Sequence, residues 1–201
     1  MKTYRVNQIF YSLQGEGHNT GRAAVFIRFA GCNLRCSFCD TEFDSYREMS
    51  ADDIIETITP YPTRFIVLTG GEPTLQVDEA FIDLLHLHSY EVAMESNGTR
   101  PAPKNLDWLT VSPKDWWMKD VGWWMENSSH ANEIKIVFDE DTPTRLSSIH
   151  IPPSTIHLFL QPCDTGDPAR NAFILQQCIS YIKEHPQWRL SLQTHKLIGI
   201  E

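Results

Sequence analysis

Three cysteines that lie close together carry the clearest chemical signal in this chain. Cys32, Cys36 and Cys39 form a CxxxCxxC pattern within the run Gly-Cys-Asn-Leu-Arg-Cys-Ser-Phe-Cys-Asp-Thr. A cubane 4Fe–4S cluster has four irons, so three protein thiolates leave one iron open to an exchangeable ligand. The spacing therefore predicts a catalytic iron–sulfur cluster. Two alternatives are a structural zinc site, which more often combines CxxC pairs with histidine, and three unrelated core cysteines.

The overall composition is that of an ordinary globular protein. The chain has 201 residues, 41% of them hydrophobic and 21% charged, and we expect one domain over residues 1–201. No apolar run approaches the ~18 residues that span a membrane, and the first residues lack a signal-peptide core. Five cysteines with three of them clustered make a poor disulfide framework and favour a reducing cytoplasm. The formal net charge of -9, without a basic stripe, argues against nucleic-acid binding.

Apolar segments of strand length alternate with helical patterns along the chain. We expect strands at residues 23–29, 65–69, 91–95, 109–111, 133–138, 155–160 and 188–194. Helices are expected after an N-cap at Ser50, over residues 78–88 and near residues 168–184. Strands separated by helices imply a parallel sheet with right-handed crossovers, and so an α/β fold.

Polar motifs follow several of these predicted strands. They are the cysteine loop, Gly-Gly-Glu-Pro at 70–73, Glu-Ser-Asn-Gly at 95–98, Ser-Pro-Lys at 112–114 and Gln-Pro-Cys-Asp at 161–164. Functional groups in parallel α/β folds gather beyond the carboxyl ends of the strands. The sequence therefore predicts that these motifs meet in one site.

The motifs also carry a family resemblance. CxxxCxxC after one strand and Gly-Gly-Glu-Pro after the next resemble the radical S-adenosylmethionine (SAM) enzymes. Further segments are similar to the 7-carboxy-7-deazaguanine synthases: Ser-Leu-Gln-Gly-Glu-Gly at 12–17, Phe-Ile-Arg at 26–28, Cys-Asp-Thr at 39–41, Ser-Pro-Lys at 112–114, Ala-Asn-Glu-Ile-Lys at 131–135, Leu-Gln-Pro at 160–162 and Leu-Gln-Thr-His-Lys at 192–196. The resemblance spans nearly the whole chain, and its first and last segments are the specific ones.

The resemblance implies a fold and an activity. The fold is a truncated, incomplete β/α barrel of the radical SAM type with a mostly parallel sheet. The activity is a lyase reaction of queuosine and 7-deazapurine biosynthesis, which converts 6-carboxy-5,6,7,8-tetrahydropterin to 7-carboxy-7-deazaguanine with loss of ammonia. The implied cofactors are a 4Fe–4S cluster, SAM, whose 5′-deoxyadenosyl radical takes hydrogen from C6 of the pterin, and Mg2+, which assists the ring contraction. The implied partners are a second copy of the chain and a flavodoxin-like or ferredoxin-like reductant.

The resemblance and the strand-end positions also assign site residues. Cys32, Cys36 and Cys39 would bind the cluster and Thr41 would bind Mg2+; Arg28, Glu16 and His195 are the catalytic candidates. The substrate set is Leu13, Gln14, Gly15, Glu16, Arg28, Thr69, His195 and the terminal Glu201. The cofactor set is Phe38, Cys39, Asp40, Gly71, Glu95, Ser96, Asn97, Ser112, Pro113, Lys114, Gln161, Pro162, Cys163 and Asp164. Ser96-Asn97 departs slightly from the pair that is usual in the family.

Several of these side chains have ordinary structural alternatives. Glu16 is alternatively a solvated loop carboxylate, and Arg28 half of a structural ion pair. Thr41 is alternatively a turn cap. Phe38 and His195 are alternatively core side chains.

A tryptophan-rich segment and one further cysteine stand apart from these assignments. Trp116, Trp117, Trp123 and Trp124 follow Ser-Pro-Lys closely, and core packing or a dimer contact is the plain interpretation. A lid, or a docking surface for a flavodoxin-like electron donor, is the alternative. Cys178 lies in a helical pattern and is expected in the core.

Two other functions compete with the lyase. An activating enzyme for a glycyl-radical protein would share the cysteine spacing but act on a protein backbone, and neither Leu-Gln-Gly-Glu-Gly nor Gln-Thr-His-Lys argues for it. A zinc-binding interaction module would be colourless, would hold zinc and would not respond to SAM.

Overall fold

The structure is a computed structural model that describes residues 2–114, 130–147 and 155–201. The strands are β1 (Thr3–Leu13), β2 (Ala23–Phe29), β3 (Arg47–Ser50), β4 (Phe65–Gly70), β5 (Glu91–Ser96), β6 (Trp108–Val111), β7 (Glu133–Phe138), β8 (His157–Pro162) and β9 (Arg189–Leu190). The helices are α1 (Ala51–Ile58), α2 (Glu79–Leu87), α3 (Thr142–Leu146), α4 (Pro168–Glu184) and α5 (Thr194–Ile198), with a short 3-10 turn at Pro73–Leu75. The tryptophan-rich segment lies outside the described residues.

One sheet organises the described part of the chain. Its strand order is β3-β1-β2-β4-β5-β6-β7-β8-β9. Neighbouring strands from β2 to β9 are parallel, whereas β1 runs antiparallel to both β2 and β3. Within the described ranges the two edge strands, β3 and β9, are not paired with each other, so the barrel is incomplete. This confirms the predicted mostly parallel, open β/α barrel.

The predicted helix starts follow from local capping. The Ser50 side chain accepts from the Asp53 N–H at 3.1 Å, and the Asp53 carboxylate accepts from the Ser50 N–H at 2.8 Å. This reciprocal capping box satisfies two backbone donors that a helix start would otherwise leave unpaired. Asp167 caps α4 by accepting from the Ala169 N–H, and Pro168 supplies the fixed backbone angle that the first helical turn favours.

Two parts of the sheet differ from the sequence-based expectation. β1 and β3 were not expected, and both pair antiparallel at one side of the sheet. The strand expected over residues 188–194 is wrong in length, because only Arg189–Leu190 pairs with β8 and α5 begins at Thr194. The chain leaves the sheet at Ser191, whose hydroxyl donates to Gln161 and accepts from the Gly17 N–H, so side-chain bonds replace further strand pairing.

Two of the three apolar clusters in the described residues pack helices against the sheet. The larger one packs α1 and α2 on the central strands through fully buried side chains such as Ile27, Ile58 and Leu85. The second packs α4 on β7 and β8 and contains Cys178, which is fully buried as expected. Burial raises the pKa of the Cys178 thiol to about 12. No helix in the described ranges is long and apolar enough to cross a membrane.

Helix α2 offers a matched test of this packing. Leu85 is fully buried and Leu87 is 80% exposed. We expect Leu85→Ala to lower the free energy of unfolding by about 2–5 kcal/mol, because it removes buried methyl groups and leaves a cavity. The same substitution at Leu87 should change it by less than about 0.5 kcal/mol. Urea denaturation followed by circular dichroism measures both, and equal losses would contradict the assignment of the buried face.

A loop after β1 connects the two sides of the open sheet. We call residues 14–18 the crossing loop. Its Gly17 N–H donates to Ser191 Oγ at 3.0 Å, and its His18 N–H donates to Glu133 Oε2 at 2.9 Å. Glu133 is the first residue of β7, so the loop passes the amino-terminal ends of the parallel strands. The crossing loop therefore lies at the amino-terminal end of β7 and contacts the chain just after β9.

Candidate active site

A cleft of about 480 Å³ lies beyond the carboxyl ends of the parallel strands. The predicted site residues that line it are Leu13, Gln14, Gly15, Glu16, Arg28, Cys32, Cys36, Phe38, Cys39, Asp40, Thr41, Thr69, Gly71, Glu95, Ser96, Asn97, Ser112, Lys114, Gln161, Pro162, Cys163, Asp164, His195 and Glu201. Of the predicted set, only Pro113 is not among its lining residues in the described part of the chain. The motifs predicted to meet in one site therefore share one cavity.

The cysteine loop contributes one wall of the cleft. Cys32 and Cys36 are partly buried and Cys39 is exposed. The Leu34 N–H donates to Cys32 Sγ at 3.4 Å, and the Asn97 amide nitrogen lies 3.9 Å from the same sulfur. Both donors are directed at a sulfur that would bind an iron of the cluster.

The three thiols of the cysteine loop are chemically suited to an iron–sulfur cluster. Among the described residues, no three His, Cys, Asp or Glu side chains are placed to hold one metal ion together. A cubane cluster instead takes one thiolate on each of three separate irons, so its ligands need not converge on one point. The donor set of three thiols from one short loop is therefore chemically suited to a 4Fe–4S cluster.

The glycine-rich turn after β4 packs directly against the cysteine loop. A Cβ atom at Gly71 would lie 2.0 Å from the carbonyl oxygen of Gly31, which immediately precedes the first cysteine. The Glu72 N–H donates to that same oxygen at 2.9 Å and the Gly71 N–H donates to Phe29 O at 2.9 Å. Only glycine permits this close backbone approach.

Glu72 then fixes the turn to the end of β5. Its side chain is fully buried and accepts from the Thr74 hydroxyl at 2.6 Å. It also accepts from the Ser96 hydroxyl at 2.9 Å and the Asn97 N–H at 2.7 Å. A buried carboxylate with several donors is rigidly held, so the ends of β4 and β5 present their polar groups to the cleft in a fixed arrangement.

A buried ion-pair network forms the floor of the cleft. Lys135 Nζ donates to Glu16 Oε2 at 2.6 Å and to Glu95 Oε2 at 2.9 Å. Burial alone would raise the pKa of Glu16, but the charge and hydrogen bond of Lys135 outweigh it and hold that pKa at about 2. Burial likewise works against the charged form of Lys135, and the two carboxylates outweigh it and raise the Lys135 pKa. Glu16 is therefore an ionised acceptor, not a solvated loop carboxylate.

Lys135 belongs to the motif at residues 131–135, but the sequence alone assigns no role to it. The signal that could have found it is the alternation in β7, where Glu133 and Lys135 interrupt a run of buried isoleucines. Residues two apart share one face of a strand. A charged pair on one face of an interior strand must point to partners, and here that face is directed towards the cleft.

Arg28 supplies a cation without a carboxylate partner. Its Nη1 donates to Gln8 Oε1 at 3.3 Å, and its guanidinium lies 5.2 Å from the centre of the Phe10 ring. Its Nε is buried without a hydrogen-bond partner, and no ion pair involves Arg28 within the described residues. The structural ion pair considered as its alternative is thus not found there. A partly exposed guanidinium that lines the cleft and has an unused donor is a ready site for an anion.

The remaining cofactor candidates lie along the other wall. Lys114 Nζ donates to Ser112 Oγ at 2.7 Å and lies 6.0 Å from the centre of the Phe38 ring. Burial, and next the charge of Lys135, lower the pKa of Lys114. Phe38 is 37% exposed, so it is not a core aromatic. No hydrogen bond from the Thr41 hydroxyl is found within the described residues, so Thr41 does not act there as a turn cap.

The segment around α5 joins three parts of the cleft. The Thr194 N–H and hydroxyl both donate to Gly15 O, at 3.0 and 2.9 Å. Lys196 Nζ forms ion pairs with Asp40 at 2.7 Å and Asp164 at 3.0 Å. Gln193 Nε2 donates to Glu16 Oε1 at 3.1 Å. Sequence reasoning assigned no role to Lys196 or Gln193, although both belong to its last motif.

His195 and the terminal residue complete the site. A Cβ atom at Gly15 would lie 2.1 Å from His195 Nδ1, so the imidazole packs on the crossing loop where only glycine fits. His195 is partly exposed on the cleft and is not a core side chain. The Ser12 hydroxyl donates to Glu201 O at 2.5 Å, and Gln8 donates to the Glu201 side chain.

Comparison with known proteins agrees with this geometry. The Radical SAM superfamily model matches residues 26–117, which include the cysteine loop and the glycine-rich turn. Three cysteines beside a glycine-rich turn, at the carboxyl ends of an incomplete parallel barrel, define a radical SAM enzyme. The 7-carboxy-7-deazaguanine synthase of Bacteroides thetaiotaomicron is 44% identical over 196 residues, covering 98% of each chain. That of Bordetella pertussis is 42% identical, covering 98% of this chain and 99% of its own. The chain therefore belongs to the 7-carboxy-7-deazaguanine synthase family.

A solved structure supports the same placement. The crystal structure of QueE from Escherichia coli is 29% identical, has a TM-score of 0.76, and is matched over 94% of this chain and 93% of that one. The chain is thus a radical SAM enzyme of the type that acts in 7-deazapurine biosynthesis, and the family implies a 4Fe–4S cluster and SAM as its cofactors.

Proposed function

We propose that this enzyme converts 6-carboxy-5,6,7,8-tetrahydropterin to 7-carboxy-7-deazaguanine with loss of ammonia. Full-length similarity to proteins that carry this name supports the reaction. The single structural observation that carries the proposal is Arg28, a partly buried cation without a carboxylate partner in the described residues, in the same cavity as the three cysteine thiols. A carboxylated substrate provides the anion that this guanidinium lacks.

The cysteine loop and the glycine-rich turn at residues 70–73 would hold the cofactors. Cys32, Cys36 and Cys39 would bind the cluster, and Gly71 lets the backbone lie close to a ligand. When bound, the cluster and SAM supply a 5′-deoxyadenosyl radical that takes hydrogen from C6 of the pterin. Lys114 offers a cation, and the residues at the ends of β5 and β8 offer hydrogen-bonding groups towards SAM.

The floor of the cleft would recognise the pterin. Ionised Glu16 accepts hydrogen bonds, which suits the N–H groups along a pterin edge. Gln14 is already engaged, because its Nε2 donates to Glu95 at 3.2 Å and its Oε1 accepts from the Glu16 N–H at 3.1 Å. Gln14 therefore shapes the crossing loop and, together with Glu16, Arg28 and His195, faces the substrate. Fixing the substrate in one orientation determines which hydrogen the radical reaches.

Thr41 would hold Mg2+, together with oxygens of the substrate and water. A hydroxyl is a hard oxygen ligand of the kind that Mg2+ accepts, and Mg2+ normally keeps several waters. Thr41 lines the cleft beside Asp40. Burial raises the pKa of Asp40, but hydrogen bonding and charge from Lys196 outweigh it and lower that pKa, so Asp40 is a second, ionised oxygen donor in this loop.

Three further points complete the proposal. The enzyme acts as a homodimer, receives its electron from a flavodoxin-like or ferredoxin-like protein, and works in the cytoplasm. Light scattering of the purified protein tests the first point. Reduction of the reconstituted enzyme by each class of electron carrier tests the second.

The central test is an anaerobic turnover assay. The protein is reconstituted with iron and sulfide, reduced, and mixed with SAM, Mg2+ and 6-carboxytetrahydropterin; the product is sought by mass spectrometry. Formation of 7-carboxy-7-deazaguanine supports the proposal, and a lower rate without Mg2+ supports the metal. A brown protein that cleaves SAM without making this product would refute the substrate and keep the enzyme class. A colourless protein that takes up only zinc would refute the chemistry.

Arg28 gives the sharpest test of substrate recognition. Arg28→Met is expected to raise the KM for the pterin about 100-fold, because the charge-assisted hydrogen bonds to its carboxylate are lost. Arg28→Lys keeps the charge without the planar fork, and a smaller rise of about 10-fold is expected. Arg64→Met is the control, since Arg64 lies over the Tyr90 ring outside the cleft. An unchanged KM in Arg28→Met would rule out the assigned carboxylate contact.

A further inference from the structure

We infer that Lys135 is a positioning residue for substrate recognition: its ammonium holds the Glu16 and Glu95 carboxylates in place and keeps Glu16 ionised. Glu16 can then accept hydrogen bonds from the donor edge of a heterocyclic substrate. This inference rests on the proposed function, because it concerns the affinity for the pterin. It adds a residue to that site whose side chain acts through Glu16.

The geometry joins three separate elements at one nitrogen. Lys135 projects from β7, Glu16 from the crossing loop and Glu95 from β5, and the two Nζ–O distances are 2.6 and 2.9 Å. The Lys135 side chain is 5% exposed, whereas those of Glu16 and Glu95 are about four times as exposed. The carboxylates therefore keep a face towards the cleft while the cation is enclosed behind them. An ammonium has three donors, and two are spent on these carboxylates.

The surrounding charges make Lys135 the principal counter-ion of the floor. The other ionisable groups that face it are Glu133, on its own strand, and Lys114, beyond the end of β6. Burial, followed by the charge of Glu95, raises the pKa of Glu133 to about 7, so Glu133 is only partly ionised at neutral pH. Asp40 approaches Glu16 from the cysteine loop and carries the same sign. Without Lys135, the two partly buried carboxylates would lose their shared counter-ion, and Lys114 would remain as a cation acting on Glu16 among the described residues.

Removing the Lys135 cation is expected to raise the pKa of Glu16. With Lys135 present, the pKa of Glu16 is about 2, so Glu16 stays ionised at any pH at which the enzyme works. With Lys135 replaced by methionine, burial dominates and raises the pKa of Glu16. As the pH falls, Glu16 is then protonated, and one acceptor oxygen becomes a donor that opposes the N–H groups of the substrate. The substrate KM of the variant should therefore rise as the pH falls.

A purely structural role predicts something different. If Lys135 only braced the crossing loop, its loss would lower the folded fraction, the iron content or kcat by the same factor at every pH. Two measurements therefore distinguish a positioning role from a structural one. The first is whether KM or kcat changes, and the second is whether the change depends on pH. Glu133 also titrates near neutral pH, and Lys135 lowers its pKa, so the profile of Lys135→Met is compared both with the wild type and with a variant that also carries Glu16→Gln and keeps Glu133.

The experiment measures kcat and KM for 6-carboxytetrahydropterin between about pH 5.5 and 8.5 on reconstituted enzyme of known iron content. Lys135→Met is expected to raise KM about 100-fold at the acid end and about 10-fold at the alkaline end, the range for a lost hydrogen bond to a charged group. Lys135→Arg keeps the cation and should remain within about threefold of the wild type. The double variant Lys135→Met, Glu16→Gln has no ionisable group at position 16, so its relative KM should change with pH much less than that of Lys135→Met, and any change that remains reports Glu133.

The possible results distinguish failure of the inference about Lys135 from failure of the proposed function. A KM ratio for Lys135→Met that stays near one, or that is the same at every pH, overturns the inference while leaving the proposed function standing. A wild-type enzyme that makes no product from the pterin refutes the proposed function and the inference with it. If Lys135→Met does not fold, Lys135→Gln is measured in its place, because an amide still bonds both carboxylates but carries no charge.

Discussion

Replacing Cys36 with alanine will abolish both cluster assembly and turnover. A cluster held by two thiolates loses one of its three protein attachments, and without a stable cluster no radical is formed. We expect product formation to fall by at least about 1,000-fold, which corresponds to a loss of about 4 kcal/mol of transition-state stabilisation. Iron and sulfide content, visible absorption and SAM cleavage measure the result on the anaerobically reconstituted protein.

Cys178→Ala is the matched control for that variant. It makes the same chemical change in the apolar core between the sheet and α4, where the thiol is fully buried. We expect normal iron content and a loss of stability of about 1 kcal/mol. If Cys36→Ala retained iron and activity, the cysteine loop would not be the cluster site.

Adding one methyl group at Gly71 should disable the enzyme without unfolding it. The new Cβ would lie 2.0 Å from Gly31 O, a backbone atom that also accepts from the Glu72 N–H and cannot move aside freely. The cysteine loop or the glycine-rich turn must shift instead. A misplacement of about 1 Å near reacting groups costs about 100-fold, and we expect kcat/KM to fall by that factor. Overpacking of this kind should cost about 1–3 kcal/mol of stability.

Gly21→Ala is the control for Gly71→Ala. It shows the general effect of replacing a glycine where no steric clash arises. Gly21 has a φ of +87°, and no atom lies within 4 Å of the place that a methyl group would take, so alanine there meets backbone strain but no neighbour. We expect a stability loss of about 1 kcal/mol with kcat/KM unchanged. Measuring kcat/KM and urea denaturation for both variants tests the explanation. Equal activity losses would show that close approach at Gly71 is not what matters.

Much of the fold was predictable because its signals are local. The runs that form β2 and β7 are apolar over most of their length, and α4 has both an Asp167 cap and Pro168 at its first position. β1 was missed because an irregularity between Val6 and Gln8 breaks its alternation, and Asn7 and Gln8 add polar character. A two-residue period is the main signal for a strand, and a bulge removes it.

The candidate site also has some features that the sequence predicts and others that it does not. Motifs at strand ends predicted which residues share the cleft, because parallel strands bring their carboxyl ends together whatever the details of packing. The contacts of Lys135 with Glu16 and of Lys196 with Asp40 were not predictable. They join residues that are distant in sequence and depend on how the sheet curls, which no local pattern encodes. The guanidinium of Arg28, with its buried and unbonded Nε, is likewise visible only in three dimensions.

The crossing loop has a consequence for how this protein folds. It bonds to Ser191 across 174 positions of sequence, and Ser12 bonds to Glu201 across 189. Closing such long loops is entropically costly, and contacts of this kind form late. During synthesis the cysteine loop emerges early, but the opposite wall of the cleft is absent until residues 191–201 have been made. A nascent chain is therefore expected to display its metal-binding thiols well before it can enclose a substrate beside them.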